Sequence, residues 1–309
     1  LPYYYPPWLA LACSVLLPLG WPAARVAWLL VGIASLVGSG FLLARRAPAC
    51  GAARADAWAL TLGLACSWKA VVMGQVAPML LLAAAAAWHL LARRRDAAAG
   101  VALALLSTKP QLGAVLLAGV MLWCLRQRRW QAPASFAIMM LLLCLASSLA
   151  FPGWPAAMAG ATQATPLPSA LYPGLGTTLA TALQAVGVHG AWLALACAAV
   201  GLPLLASIAV AAWTGSTLTL RSGAAASGVS VAHPAFDDRD AACPDSGLDF
   251  DAHSDSRSHG AAHQAAGLRD ERTLAALFGL GLLAPFFVMP YARPYDFAVL
   301  AVPALVLLL

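Results

Sequence analysis

Residues 130–220 contain no Asp, Glu, Lys or Arg, and this long uncharged stretch limits what the chain can fold into. Over all 309 residues, 62% are apolar and 10% are charged, whereas a soluble domain has about 25% charged residues. A membrane-spanning helix needs about 20 consecutive apolar residues, and several segments approach that length. The sequence therefore excludes a soluble globular protein and predicts an all-α, polytopic transmembrane helical bundle of about 8–10 membrane helices.

The charges divide the chain into three regions. Residues 221–272 hold nine of the twelve acidic residues but only five of the eighteen basic ones. This segment is rich in Ser, Ala, Gly, Asp and His, so burial cannot offset the entropy lost on ordering it. We predict a disordered cytoplasmic loop there, between a transmembrane region at 1–220 and C-terminal transmembrane helices at 273–309. Because the chain starts at Leu1 and stops inside an apolar run, we expect a fragment truncated at both ends.

Several classes of site are disfavoured by the residue patterns. The basic residues form no continuous surface interleaved with aromatics, which disfavours nucleic acid binding. The seven cysteines include no CxxC pair, and the histidines of the insert match no defined metal motif. No glycine-rich phosphate loop is present, which argues against a nucleotide-sugar donor. We therefore expect no metal and no cofactor.

Arginine clusters set the expected orientation of the helices. They lie at Arg45-Arg46, at 93–95 and at 126–129, and the positive-inside rule assigns such clusters to the cytoplasm. The intervening segments then become hairpins at 55–92 and 97–125, whose tips face the outer side. The uncharged stretch gives a third pair of helices with an outer loop, and PYARPYDF (290–297) forms a fourth outer turn.

Lys109 is the strongest candidate for a functional residue. It occupies the tip of the 97–125 hairpin, whose arms of about 18 and 24 Å do not cross a hydrocarbon core of about 30 Å. A charge at that depth is costly unless it faces a wet cavity or an anion, and Pro110 breaks the helix beside it. One reading is a cation for a lipid phosphate. The alternative is a lysine whose ammonium reaches the membrane interface.

Two further groups lie at predicted outer tips. Gln75 in MGQVAP could hydrogen-bond sugar hydroxyls, or it could make a helix-capping or interhelical bond. In PYARPYDF, Arg293 could bind a phosphate, Tyr295 could contact substrate and Asp296 could accept a proton. The alternative for this group is an Arg293–Asp296 ion pair at the membrane surface beside an interfacial tyrosine.

Four segments carry a family resemblance when taken in order. They are YYYPPW at 3–8, GQVAPMLLL at 74–82, the stretch from RRRDAAAG to RQRRW at 93–130, and PYARPYDFAVLAVPAL at 290–305. Together they resemble glycosyltransferase family 87, integral-membrane transferases of the GT-C type that include polyprenol-phosphate-mannose-dependent mannosyltransferases.

The resemblance implies transfer of a hexose, mannose above all, from a polyprenyl-phosphate donor to a hydroxyl of a lipid or glycan acceptor. It implies that transfer takes place on the outer side of the bacterial cytoplasmic membrane, with inversion and without metal. Gln75 and Lys109 match the family's GQ and KP positions, and Arg293, Tyr295 and Asp296 match its last outer loop. The family's catalytic Asp follows the first helix and would lie upstream of Leu1, which leaves Asp296 as a weak candidate for the base. Val76 and Ala77 replace the usual Asn after GQ.

The alternative function is a polytopic transporter or flippase of a lipid-linked or small anionic substrate. A transporter would have ionisable residues deep in several helices and repeated halves. The polar candidates instead concentrate at outer tips, and no repeat is evident. The sequence therefore favours the transferase.

Overall fold

The structure is a computed structural model that describes residues 5–47, 51–164, 190–214, 270–285 and 299–308, with Leu183, Val186 and Gly187. The described residues form α-helices, short 3-10 helices and turns, with no strand among them. The all-α class is thus confirmed. The helices are α1 (Pro7–Ser14), α2 (Gly20–Ala44), α3 (Gly51–Leu62), α4 (Ala65–Val72), α5 (Ala77–Ala92), α6 (Asp96–Leu105), α7 (Pro110–Arg126), α8 (Gln131–Ala150), α9 (Trp154–Ala164), α10 (Gly190–Thr214), α11 (270–283) and α12 (Ala301–Leu308).

The helices pack side by side around an apolar core. α5 lies between α2 and α6, α6 packs along α8, and α7 contacts α10. Trp88 of α5 stacks on Phe278 of α11 with ring centroids 6.0 Å apart, and both side chains are fully buried. The predicted hairpins at 55–92 and 97–125 correspond to α3–α5 and α6–α7.

Two helices of the described region are long and apolar enough to cross a membrane. They are 17–44, which is α2 with the 3-10 helix before it, and α8. Only 11% of the most apolar part of α8 is buried, and Leu141 and Leu149 are largely exposed. A core helix of a soluble protein would bury this surface, so α8 fits contact with lipid. Four other apolar helices are shorter, and the larger number of spans stays a prediction.

The arginine clusters gather at one end of the helices, which we call the basic end. Arg46 and Arg94 form ion pairs of 2.7 and 2.6 Å with Glu271 and Asp270 at the start of α11. Arg129, between α7 and α8, pairs with Asp96 at the start of α6. The ends of α2, α5 and α7 and the starts of α6, α8 and α11 therefore meet here. Few acidic residues are described, since most acidic residues of the chain lie outside the described residues.

The turns after α5 and α7 have the same backbone arrangement. Arg94 and Arg128 have φ values of 58° and 56°, in the left-handed region. The next residue in each turn donates its N–H to the carbonyl five residues earlier: Arg95 to Leu90 O at 2.9 Å, and Arg129 to Cys124 O at 2.8 Å. This is the Schellman C-terminal motif, which satisfies helix carbonyls that would lack a partner. The chain therefore reverses direction sharply after α5 and after α7, at the basic end.

Candidate functional site at the end opposite the basic end

The GQ turn between α4 and α5 lies at the end opposite the basic end. Gly74 has φ +65°, and the N–H groups of Gly74 and Gln75 donate to Val71 O and Ala70 O at 2.9 and 2.8 Å. Glycine suits this position because it adopts the left-handed conformation without strain, and Pro78 suits the first turn of α5. The sequence thus places Gln75 directly after a fixed helix end.

Gln75 accepts a hydrogen bond from a distant side chain at this turn. The Tyr5 hydroxyl donates to Gln75 Oε1 at 3.1 Å, and Gln75 is half-buried. This hydrogen bond is compatible with both roles predicted for Gln75. It occupies only the amide oxygen, and an amide also carries two N–H donors, which bond to no other described residue. The amide can therefore keep its Tyr5 contact and still donate to a hydroxyl.

Trp28 of α2 also forms a hydrogen bond with the GQ turn. Its indole Nε1 donates to Gly74 O at 2.9 Å, and a Cβ on Gly74 would lie 3.5 Å from the indole ring. Trp28 was not predicted as a site residue, since it is one of eleven tryptophans in an apolar chain. No local pattern identifies it, because its partner is 46 residues away.

Lys109 lies at the break between the 3-10 helix Leu106–Thr108 and α7. Its backbone leaves the helical region at φ −137° and ψ 76°, and its carbonyl accepts from Leu112 N at 2.9 Å. The residue is only 3% exposed. A buried ammonium needs a partner or an anion, because removing it from water is expensive. The break is tight, since a Cβ on Gly113 would lie 2.7 Å from Leu106 O.

Gln75 and Lys109 occupy the same end of the α5–α7 unit. α5 runs from the GQ turn to Arg93, whereas α6 runs away from Asp96 and α7 returns from Lys109 to Arg126. α5 contacts α6 and the 3-10 helix that precedes Lys109. The other predicted site residues, Arg293, Tyr295 and Asp296, lie outside the described residues.

A cavity of about 640 Å³ adjoins the GQ turn. Its walls come from one face of α2, the end of α1 with the following 3-10 helix, and the end of α4. Trp28 and Gly74 line it, as do Trp21 and Arg25. Arg25 was not predicted as a site residue either, because it lies just before the uncharged span of α2 and resembles an ordinary flanking charge.

A second cavity, of about 300 Å³, lies beside α1. It is lined by Tyr5, Phe151 and Trp154, and Trp154 meets Trp8 edge to face at 6.0 Å. α1 therefore contributes residues to both cavities. Within the described ranges, no group of three His, Cys, Asp or Glu side chains could hold a metal ion.

These features define a class: an all-helical protein with lipid-compatible helices, a cluster of arginines at one end and a buried lysine and an amide at the other. The chain matches the model of glycosyltransferase family 87 over residues 3–234, about three quarters of its length, and it belongs to that family. The resemblance found in the sequence is confirmed, and the family indicates glycosyltransferase activity. Neither the curated proteins nor the solved structures gave a match.

The matched region includes the GQ turn and the whole of α6 to α8. It ends before 290–305, so the assignment of Arg293, Tyr295 and Asp296 to a last outer loop stays a prediction. The family assignment therefore supports a sugar donor and an acceptor as substrates.

Proposed function

We propose that this protein transfers a hexose, with mannose as the expected sugar, from a polyprenyl-phosphate donor to a hydroxyl of a lipid or glycan acceptor. The reaction takes place at the outer side of the bacterial cytoplasmic membrane, in a multi-pass helical bundle of GT-C type. The family assignment supports the transferase activity. The gathering of arginines at the basic end supports the orientation, since such clusters stay in the cytoplasm.

The burial of Lys109 at a helix break, at the end opposite those arginines, is the observation that carries the proposal. The helical segment 96–108 and α7 are about 20 and 25 Å long, shorter than a hydrocarbon core of about 30 Å. Lys109 then lies at the depth where the phosphate of a membrane-dissolved donor meets the protein. An ammonium in that low-dielectric setting stabilises negative charge strongly.

A few side chains carry out the steps of the proposed reaction. The acceptor oxygen attacks the anomeric carbon, the bond from that carbon to the phosphate oxygen breaks, and polyprenyl phosphate leaves with an additional negative charge. Lys109 stabilises this charge, as cations do in other transfers of this kind. Gln75 hydrogen-bonds the sugar hydroxyls. The acceptor proton goes to a carboxylate, for which Asp296 is the weak candidate in this sequence.

The test is sugar transfer from labelled polyprenyl-phosphate mannose by membranes that contain the full-length gene product. Lys109→Ala should lower the rate at least about tenfold, equivalent to about 1.4 kcal/mol of transition-state stabilisation. Lys69→Ala is the matched control, since Lys69 is an exposed lysine on α4, and should transfer at the parent rate.

Two outcomes would contradict the proposal in different ways. An unchanged rate in Lys109→Ala would remove Lys109 from the mechanism. Absence of transfer with mannose and with every other lipid-linked sugar would reject the polyprenyl-phosphate donor and favour the transporter alternative.

A further inference from the structure

The cavity beside α2 combines an apolar wall with one charged group among the described residues that line it. The residues that line it include Leu17, Trp21 and Trp28, and Arg25 is the only charged residue among them. Its volume of about 640 Å³ falls within the range of small-molecule sites, about 300–1,000 Å³. A ligand suited to it has an apolar body and one anionic group.

Arg25 has a charge that the described residues do not neutralise. The ion pairs found in the described ranges involve Arg46, Arg94 and Arg129, and no described carboxylate pairs with Arg25. A guanidinium binds a phosphate through two parallel hydrogen bonds, which a compact ammonium cannot provide. Arg25 is thus suited to an anionic head group beside the apolar wall.

Two of the residues that line the cavity are large, exposed and apolar. Leu17 and Trp21 are 76% and 79% exposed, and both lie within the apolar segment 17–44. Exposed apolar side chains of this size form a lipid-contacting surface, and tryptophan favours the depth of the lipid head groups. The cavity is therefore open to a lipid that moves sideways from the bilayer.

We propose that this cavity takes up the isoprenoid phosphate lipid from the outer leaflet, with the phosphate on Arg25 and the first isoprene units against Trp21 and Trp28. The inference rests on the proposed function, since that function supplies the lipid. Trp28 also bonds to Gly74 O at 2.9 Å, directly before Gln75. The occupied cavity therefore delivers the head group to the turn that binds its sugar, whereas Lys109 acts on the phosphate during transfer.

The test measures binding and transfer separately. Full-length protein in detergent is photolabelled with a polyisoprenyl phosphate that carries a benzophenone, and the labelled peptides are identified. Arg25→Gln should reduce labelling of the cavity about tenfold, as expected when a charged hydrogen-bonding group is lost. Ala24→Phe should reduce it as well, because the new ring fills a cavity that Ala24 lines. Lys69→Gln is the control and should label like the parent.

Kinetics distinguish uptake from catalysis. In Arg25→Gln the KM for the lipid donor should rise about tenfold while kcat is kept, whereas Lys109→Ala lowers kcat. Competition gives the identity of the occupant: unlabelled polyisoprenyl phosphate should displace the probe, and the neutral polyprenol of equal length should not.

Each contrary result rejects one specific statement. Equal labelling in the parent and in both cavity variants would overturn the uptake site even if transfer proceeds. Displacement by phosphatidylglycerol as effective as by isoprenoid phosphate would overturn the proposed occupant. Labelling that depends on Arg25 in a protein with no transferase activity would support the cavity and reject the proposed function instead.

Discussion

The guanidinium of Arg129 connects three helices at the basic end. It forms a bidentate pair with the carboxylate of Asp96 and donates to Leu91 O at 2.6 Å. The side chains of Arg129 and Asp96 are only 6% and 12% exposed. The sequence predicted Arg129 as one charge in a cytoplasmic cluster, and neither this burial nor its partner could be derived, because the two residues are 33 positions apart.

Asp96→Ala should destabilise the protein by about 3–5 kcal/mol, because it leaves a buried guanidinium without its carboxylate. Arg94→Ala removes a pair in which the arginine side chain is 62% exposed, and such pairs contribute less than about 1 kcal/mol. Thermal unfolding in detergent compares the two variants. The double variant Asp96→Leu, Arg129→Met should recover part of the loss. Equal unfolding temperatures for Asp96→Ala and Arg94→Ala would show that the pair does not stabilise the fold.

At the scale of helices, α6 and α8 approach closely because of one small residue. A Cβ on Gly100 would lie 2.8 Å from Phe136 N and would also overlap Ala132 O and Ser135 Oγ. Two of these three atoms belong to the backbone of α8, so a side-chain rearrangement cannot relieve the overlap. Small residues at helix contacts allow this kind of approach in membrane proteins.

Gly100→Ala should therefore lower stability by about 1–3 kcal/mol, despite the better helix propensity of alanine. Gly160→Ala is the matched control on α9, since nothing lies within 4 Å of a Cβ there. It should be neutral or slightly stabilising by propensity alone. The measurement is the unfolding temperature of each variant in the same detergent. A Gly100→Ala protein as stable as the parent would show that the close contact between α6 and α8 does not limit stability.

The helix ends were predicted where local chemistry determines them, and missed where packing does. Gly74 and Pro78 mark the end of α4 and the start of α5, and Lys109-Pro110 marks the start of α7. The break between α3 and α4 at Gly63 was not predicted. There Gly63 N donates to Ala59 O at 2.7 Å, and Trp68 Nε1 donates to Leu62 O at 2.6 Å. These bonds end α3 within an apolar run that reads as continuous helix.

At the scale of the whole molecule, the arginine clusters and the candidate site lie at opposite ends. The sequence predicted this separation from the alternation of arginine clusters with polar tips, and the structure gathers Arg46, Arg94 and Arg129 at one end with the GQ turn at the other. The cavity with Arg25 could not be predicted, because three separate helices supply its walls. A hydrophobic period or a short motif predicts the structure of one helix, whereas a cavity depends on how several helices pack together.

The orientation of this axis in the membrane can be measured directly. In a variant without the seven native cysteines, Met73→Cys places a thiol at an exposed position of the GQ turn, and Gln131→Cys places one at the exposed start of α8. A membrane-impermeant maleimide should label Met73→Cys in intact spheroplasts, because that end faces outward, and should label Gln131→Cys only after permeabilisation. The reverse pattern would put Lys109 and Gln75 on the cytoplasmic side. The sugar would then have to come from a donor presented there, and the proposed outer-side reaction would be rejected even for an active transferase.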